Sequence, residues 1–296
     1  CLFSLLADMV QAGMHAAVME VSAHALYFKK EAPVCYDVAV FTNLTRDHLD
    51  FFGDMQRYGD AKQMLFTRGK CRFAVLNADD AFSRTLAKGV RHMTYGLETP
   101  ADAFALVRSE TLRACDAILN LQDELCEVTV PMTGRHNLSN ALAAACAARR
   151  LGADAGAISR GIGTTKVDGR LEWVGAWHGG DVFVDFAHTP DGLEKSLAAL
   201  REHCAGRLIA LFGCGGNRDA GKRAGMGEVA ARCADFSVLT SDNPRYEDPY
   251  AIISEIEAGY RKASKNYVAI EEREKAIAYA LDLLSDGDIL LIAGKG

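Results

Sequence analysis

The sequence predicts an α/β protein of two domains with mainly parallel sheets. Three observations carry this expectation. Short apolar runs alternate with helical patterns along the chain, and 296 residues suffice for two separate cores. A polar stretch flanked by glycines, "GTTKVDGR", divides the pattern into two series and places the domains at 1–169 and 170–296.

Taken in order, "CLFSLLADMVQAG" is a helix already in progress at the first residue. "HAAVMEVS", "VAVFTNL" and "RFAVLN" are expected strands with amphipathic helices between them. From Phe104 to Val130 the period changes to three alternating runs, "FALVRSE", "LRACDAILNL" and "ELCEVTVPM", which predict an antiparallel β insertion. An alanine-rich helix then opens at "RHNLSN" and closes at Leu151-Gly152, a glycine C-cap. Beyond the linker the second domain starts with a hairpin, "LEWVGAW" and "VFVDF" around "HGGD". It continues with the strands "RLIALFG", "FSVLT", "YVAI" and "DILLIAG".

Composition narrows the function. A net charge of −6 argues against a nucleic-acid or membrane-surface role, although a local anion site remains compatible with it. No apolar run has the length of a membrane span, and no signal peptide is evident. The nine cysteines include no Cys-x-x-Cys pair, and several sit in apolar helical stretches such as "ALAAACAARR". Reduced core cysteines of a cytoplasmic protein are expected, not a disulfide frame or zinc site. The first residue is not Met, and the last strand runs into a glycine loop, so the chain is expected to be a fragment.

Ligands of open α/β sheets bind outside the carboxyl ends of the strands. Five such ends carry ionisable or glycine-rich loops: Glu20 to His24, Thr45 to Asp50, Ala187 to Asp191, Gly213 to Asp219, and Asp242 to Arg245. Each has a plain explanation. Glu20 can cap a helix or act as an oxygen ligand for Mg2+, a hard cation. His48 alone is a packed or surface histidine, but beside Asp47 and Asp50 it becomes a metal or phosphate contact. "FGCGGNRD" is only a weak phosphate-loop pattern. Arg218, Lys222 and Arg223 strengthen it for anions. Lys62 by itself is a solvated helix lysine, and Asn243-Pro244 is a turn signal. Together the five ends point to a binding cleft.

The segments "MEVSAHAL", "FTNLTRDHLDFFGDMQRYGDAKQMLF", "NADD", "GRHNLSNALAA", "GRLEWV", "FVDFAHTPDGLEKSL", "FGCGGNRDAGKR", "SDNPR" and "AGKG" follow one another here in a family-like order and spacing. In this the chain resembles the Mur ligases, over nearly its whole length, and within them the branch that adds meso-diaminopimelate. The resemblance implies a central P-loop-NTPase-like domain, truncated and with the antiparallel β insertion, followed by a Rossmann-like C-terminal domain. It implies ATP-dependent amide formation on UDP-N-acetylmuramoyl-L-alanyl-D-glutamate through an acyl phosphate, in peptidoglycan synthesis. Mg2+ and ATP are the implied cofactor and co-substrate, and the protein is expected to act as a cytoplasmic monomer.

By motif, Glu20, His48 and a carbamylated Lys62 match the family's Mg2+ site. Ser22 and Lys30 match contacts to the UDP-muramoyl peptide. Asn140, Arg170, Asp185 and, less closely, His188 match ATP contacts. Arg218, Asp242, Asn243, Pro244, Arg245 and Gly294 match the diaminopimelate pocket. Lys30 stands where the family usually has arginine, Ala23 replaces a common serine and Phe186 a common tyrosine. The N-terminal UDP-binding domain, the Gly-Lys-Thr phosphate loop and a His-Glu beyond Gly296 are missing relative to the family, so the fragment alone is expected to lack ligase activity. Four alternatives stay open: a lysine-adding relative, in which Arg245 is usually absent, a folylpolyglutamate synthetase, a non-catalytic binding module on the same fold, and a nicotinamide dehydrogenase.

Overall fold

The computed structural model describes residues 2–295. The first half opens with helices α1 (Leu2–Gln11) and α2 (Ala23–Tyr27), followed by β1 (Tyr36–Phe41), α3 (Leu49–Phe52), α4 (Met55–Gln63), β2 (Cys71–Asn77), α5 (Ser83–Leu86) and β3 (His92–Gly96). It closes with β4 (Ala103–Glu110), β5 (Cys115–Leu121), β6 (Leu125–Val130), α6 (Arg135–Arg150) and α7 (Ala155–Thr164). All six strands form one sheet in sequence order. Pairing is parallel from β1 to β4 and antiparallel from β4 to β6. The predicted β insertion therefore extends the parallel sheet instead of forming a separate layer. Its alternation is the cause: every second residue of β5 and β6 is buried, and that face packs with Leu138, Leu142 and Cys146 of α6.

Two expectations fail in this half. "HAAVMEVS" is not a strand: residues 14–22 are irregular, and Val18 is fully exposed at 103%. A strand needs a ladder, and β1 pairs with β2 on one side only, with no described residue hydrogen-bonded along its other edge. Apolar composition alone therefore does not order the segment. Helix α1 forms as expected, but none of its side chains is buried. The linker is also shorter than "GTTKVDGR", because α7 runs on to Thr164 from an Asp154 cap whose Oδ1 accepts the Ala157 N–H at 2.7 Å.

The second half consists of β7 (Glu172–Trp177), β8 (Gly180–Asp185), α8 (Pro190–Arg201), β9 (Leu208–Phe212), α9 (Arg223–Cys233), β10 (Phe236–Leu239), α10 (Pro249–Tyr260), β11 (Tyr267–Ala269), α11 (Arg273–Asp282) and β12 (Ile289–Ala293). Its sheet has the order β11-β10-β9-β12-β8-β7, parallel throughout except for the hairpin strand β7. The hairpin turns on His178 and Gly179, both with positive φ, a tighter turn than the four-residue "HGGD" expected from the sequence. Strands β9 and β12 are buried at every position, as a parallel sheet covered on both faces requires. Residues of α8, α9 and α10 pack on one face, and α11 covers the other. Because β12 returns between β9 and β8, the ends of β8, β9, β10 and β12 lie side by side and open toward the first sheet.

All cysteines among the described residues are free. No helix among them is long and apolar enough to cross a membrane.

Candidate functional site

A cleft of about 940 Å3 lies between the two halves. Asp47 and His48 come from the loop after β1 and Asp50 from α3, while Arg170 precedes β7 and Glu172 and Val174 belong to it. The facing wall is made of strand ends: Phe186 and His188 after β8, Gly215, Arg218, Asp219 and Lys222 after β9, Asp242, Asn243 and Arg245 after β10, and Gly294 and Lys295 after β12.

Asp47 joins the walls. His48 donates its backbone N–H to Asp47 Oδ1 at 2.9 Å, and its Nε2 lies 3.6 Å from Oδ2. From the other half, His188 Nε2 lies 3.5 Å from Oδ2 and Lys222 Nζ 3.9 Å from Oδ1. Arg46 beside it reaches Asp219 at 3.5 Å. Burial alone would raise the Asp47 carboxyl, but the His188 hydrogen bond and the Lys222 and His48 charges outweigh it and hold the group well below the usual carboxylate range. His48 is pushed down by burial and by the nearby His24 and Arg218 charges, against the opposing pull of Asp47 and Asp50. Its backbone is left-handed at φ 57°, a conformation costing about 1–3 kcal/mol for a non-glycine residue. The residue so held lines the cleft.

The glycine run and the Asn-Pro turn form one unit. Gly216 donates its N–H to Asn243 O at 2.8 Å, and Arg245 Nη1 donates to Gly216 O at 2.8 Å. A Cβ on Gly216 would stand 1.9 Å from the Pro244 carbonyl oxygen. Glycine is therefore required here by a close approach of two loops, an origin that a phosphate-loop pattern does not convey. Arg245 is itself left-handed at φ 53°. Its guanidinium is anchored through Nη1, which leaves Nε and Nη2 without a protein acceptor among the described residues.

Lys222 and Arg223, one cationic pair in the sequence, part company in the structure. Lys222 lines the cleft. Arg223 is 1% exposed and bonds Glu247 and Glu255, so it is not available to an anion and instead braces the loops from beneath. Its Nη2 also donates to Gly215 O at 3.4 Å, and Glu247 accepts the Asn217 N–H.

Of the residues expected from the sequence, the cleft wall brings together His48, Arg170, His188 and Arg218 with Asp242, Asn243, Arg245 and Gly294. Pro244 shapes the turn without lining it; its carbonyl accepts the Glu247 N–H at 3.0 Å. Arg170 lies over the Phe186 ring at 5.0 Å. Asp185 is buried, with its oxygens engaged by the Leu171 and Ala187 N–H groups at 2.7 and 2.6 Å. Asn140 is exposed on α6. Ser22 caps α2 by accepting the Ala25 N–H at 3.2 Å, and Lys30 is exposed with its amine 5.7 Å from the Phe28 ring centre. Glu20 is exposed on the irregular segment, and Lys62 is half-buried on α4 over Tyr58 at 5.3 Å. Burial pushes the Lys62 amine down, against the fields of Asp80, Glu20 and Asp47.

Asp47 and Lys222 are the site residues the sequence underrated. Both lie inside motifs, "TRDHLD" and "GGNRDAGKR", whose neighbours drew attention first. Only folding shows that they meet.

Comparison with known proteins gives one consistent likeness. The family description "Mur ligase middle domain" matches residues 2–148, and "Mur ligase, glutamate ligase domain" matches residues 169–296. The chain is 41% identical to the UDP-N-acetylmuramoyl-L-alanyl-D-glutamate–2,6-diaminopimelate ligase of Caldanaerobacter subterraneus subsp. tengcongensis, over 100% of this chain and 61% of the relative. It is 44% identical to the ligase of that name from Chromobacterium violaceum, over 98% of this chain and 60% of the relative. A solved structure of a ligase with that name aligns at a TM-score of 0.65 and 33% identity, covering 98% of this chain and 61% of the other. The chain thus spans about 60% of the length of these curated relatives.

Proposed function

The chain belongs to the Mur ligase family, whose middle and C-terminal domains account for its two halves, and on that premise we propose that it serves ATP-dependent addition of meso-diaminopimelate to UDP-N-acetylmuramoyl-L-alanyl-D-glutamate. The reading places the protein in the cytoplasm, in peptidoglycan synthesis. One observation carries it: Asp47 and His48 of the first domain face Arg218, Lys222 and Arg245 of the second across a single cleft.

The chemistry explains why both signs of charge are needed. A carboxylate is a poor electrophile, and transfer of the ATP γ-phosphoryl to it gives an acyl phosphate with a good leaving group. Bringing two anions together requires cations held ready beforehand. Arg170 and Lys222 are assigned to the phosphate side. Asp47 keeps Lys222 and His188 in position and stays ionised while doing so. The amine of the incoming amino acid then attacks, expelling phosphate and losing a proton as the amide forms. Arg245 and Arg218 are assigned to grip a diaminopimelate carboxylate, with Asp242 and Asn243 shaping the pocket.

Mg2+ is the metal this reading expects, and it would supply charge neutralisation on the phosphates. Glu20, His48 and a carbamylated Lys62 were expected to hold it. Glu20 is exposed on an irregular segment, with its charge acting on the Lys62 amine, and the described residues contain no cluster of three His, Cys, Asp or Glu side chains suited to a metal, a set that does not include a carbamylated lysine. Lys62 meets one requirement of its part, since burial favours the neutral amine that takes up CO2.

The test is amide formation by the full-length protein, of which this chain spans the middle and C-terminal domains, with meso-diaminopimelate and, separately, with L-lysine. The expected result is a clear preference for meso-diaminopimelate. Arg245→Ala should raise the KM for the amino acid at least tenfold and leave that for ATP unchanged. Equal rates with the two amino acids would overturn the assignment of Arg245.

A further inference from the structure

Away from the cleft, the halves meet at a second place. The turn between β4 and β5 projects from the first sheet onto the hairpin of the second. Thr111 makes this turn stiff: its N–H donates to Ala114 O at 2.8 Å, and its Oγ1 accepts the Arg113 and Ala114 N–H groups at 3.3 and 3.1 Å. Leu112 packs against the main core of the second domain, whose other members all come from residues 171–293. The Arg113 guanidinium lies 3.6 Å from the Trp173 ring centre and its Nη2 3.7 Å from Asp181 Oδ1. That same oxygen accepts the Trp173 indole N–H at 2.6 Å. Arginine, indole and carboxylate thus form one closed set bridging the two halves.

What this set holds is the outermost strand of its sheet. Strand β7 pairs only with β8, and the ladder is interrupted between Trp173 and Gly175. An edge strand with an irregular ladder is locally weak. Its neighbours on the opposite face, Glu172 and Val174, line the cleft together with Arg170 just before it. Side chains alternate across a strand, so a group that fixes Trp173 from behind fixes Glu172 and Val174 in front.

We infer that the Leu112–Arg113 turn is a positioning element, by which the first domain holds β7 so that Arg170, Glu172 and Val174 line the cleft facing the strand ends of the second domain. Arg113 touches no cleft residue itself and acts through Trp173. The proposed consequence for nucleotide binding rests on the ligase reading; the clamp itself does not.

Hydrogen exchange separates the two. In Arg113→Ala the amides of 172–177 should exchange about tenfold faster, with β9 and β12 unchanged. Arg113→Lys keeps the charge but loses the planar stack, and should recover less than half of the protection. Trp173 fluorescence should shift in parallel, with Trp177 as the only other indole. Unchanged exchange at β7 would overturn the proposal, as would equal loosening of β9 and β12, the sign of a simple core defect. MgATP titration of the full-length protein carrying the same substitutions should show at least fivefold weaker binding in Arg113→Ala. Loss of β7 protection with no change in the affinity of a nucleotide-binding protein would show that the wall is not positioned for ATP. Full-length wild-type protein that binds no MgATP would count against the ligase reading and leave the exchange result standing.

Discussion

At the scale of single residues, the opposing loops after β9 and β10 depend on one missing methyl group. Gly216 lets the Pro244 carbonyl approach and offers its own carbonyl to Arg245. Gly216→Ala would place a Cβ 1.9 Å from a backbone oxygen, which a rotamer change cannot relieve. The loops must part, and Arg245 loses its anchor. The expected outcome is a KM for the amino acid raised at least as far as in Arg245→Ala, together with a lower melting temperature; a variant with normal KM would refute the coupling. The chemistry of this site was legible in the sequence, because "SDNPR" and "GGNRD" name their own polar groups. Their mutual contact was not, since residues 216 and 243–245 are joined only through the order of β9 and β10. Arg223 shows the converse error: a cation beside a glycine loop looks like an anion contact, and only burial against Glu247 and Glu255 reveals a brace.

At the scale of elements, periodicity identified the strands that fill a ladder and overreached where none exists. Strands β9 and β12 were recognisable as apolar runs because both faces are covered. "HAAVMEVS" also holds a short apolar run but has no partner, and composition cannot report a partner. Close helix packing was also hidden. Gly227 of α9 and Gly259 of α10 face the opposite backbone so closely that a Cβ would stand 2.1 Å from Ile256 O and 1.8 Å from Ala224 O. Intrinsic propensity predicts that alanine at position 259 stabilises α10 by about 1 kcal/mol. Overpacking predicts the opposite sign, a loss of about 1–3 kcal/mol. The contact should prevail because backbone, not a flexible side chain, blocks the new methyl. Urea unfolding of Gly259→Ala decides it, and a stabilised variant would mean that the two helices separate freely.

For the whole molecule, the decisive feature is that the apolar cores do not merge. Leu138, Leu142 and Cys146 centre one cluster, while Phe183, Phe212 and Leu291 centre another, and Leu112 is the described residue that crosses between these two. What spans the cleft is charge, chiefly Asp47 with His188 and Lys222. Coupling between the domains should therefore depend on pH in a definite direction. The Asp47 carboxyl is lowered in the folded chain from an ordinary value of 3.8, so the unfolded chain takes up its proton first. Its contribution is complete above about pH 4 and drains away as pH falls toward the folded value. Calorimetry from pH 7 down to pH 2 should show two transitions that begin to draw apart only below about pH 4, as proton uptake by Asp47 in the separated domains weakens the cross-cleft contacts. Asp47→Asn cannot ionise, so in that variant the transitions should already be apart at pH 7 and their separation should change much less with acid. If wild type and variant separated identically across this range, Asp47 could not be the group that couples the two domains.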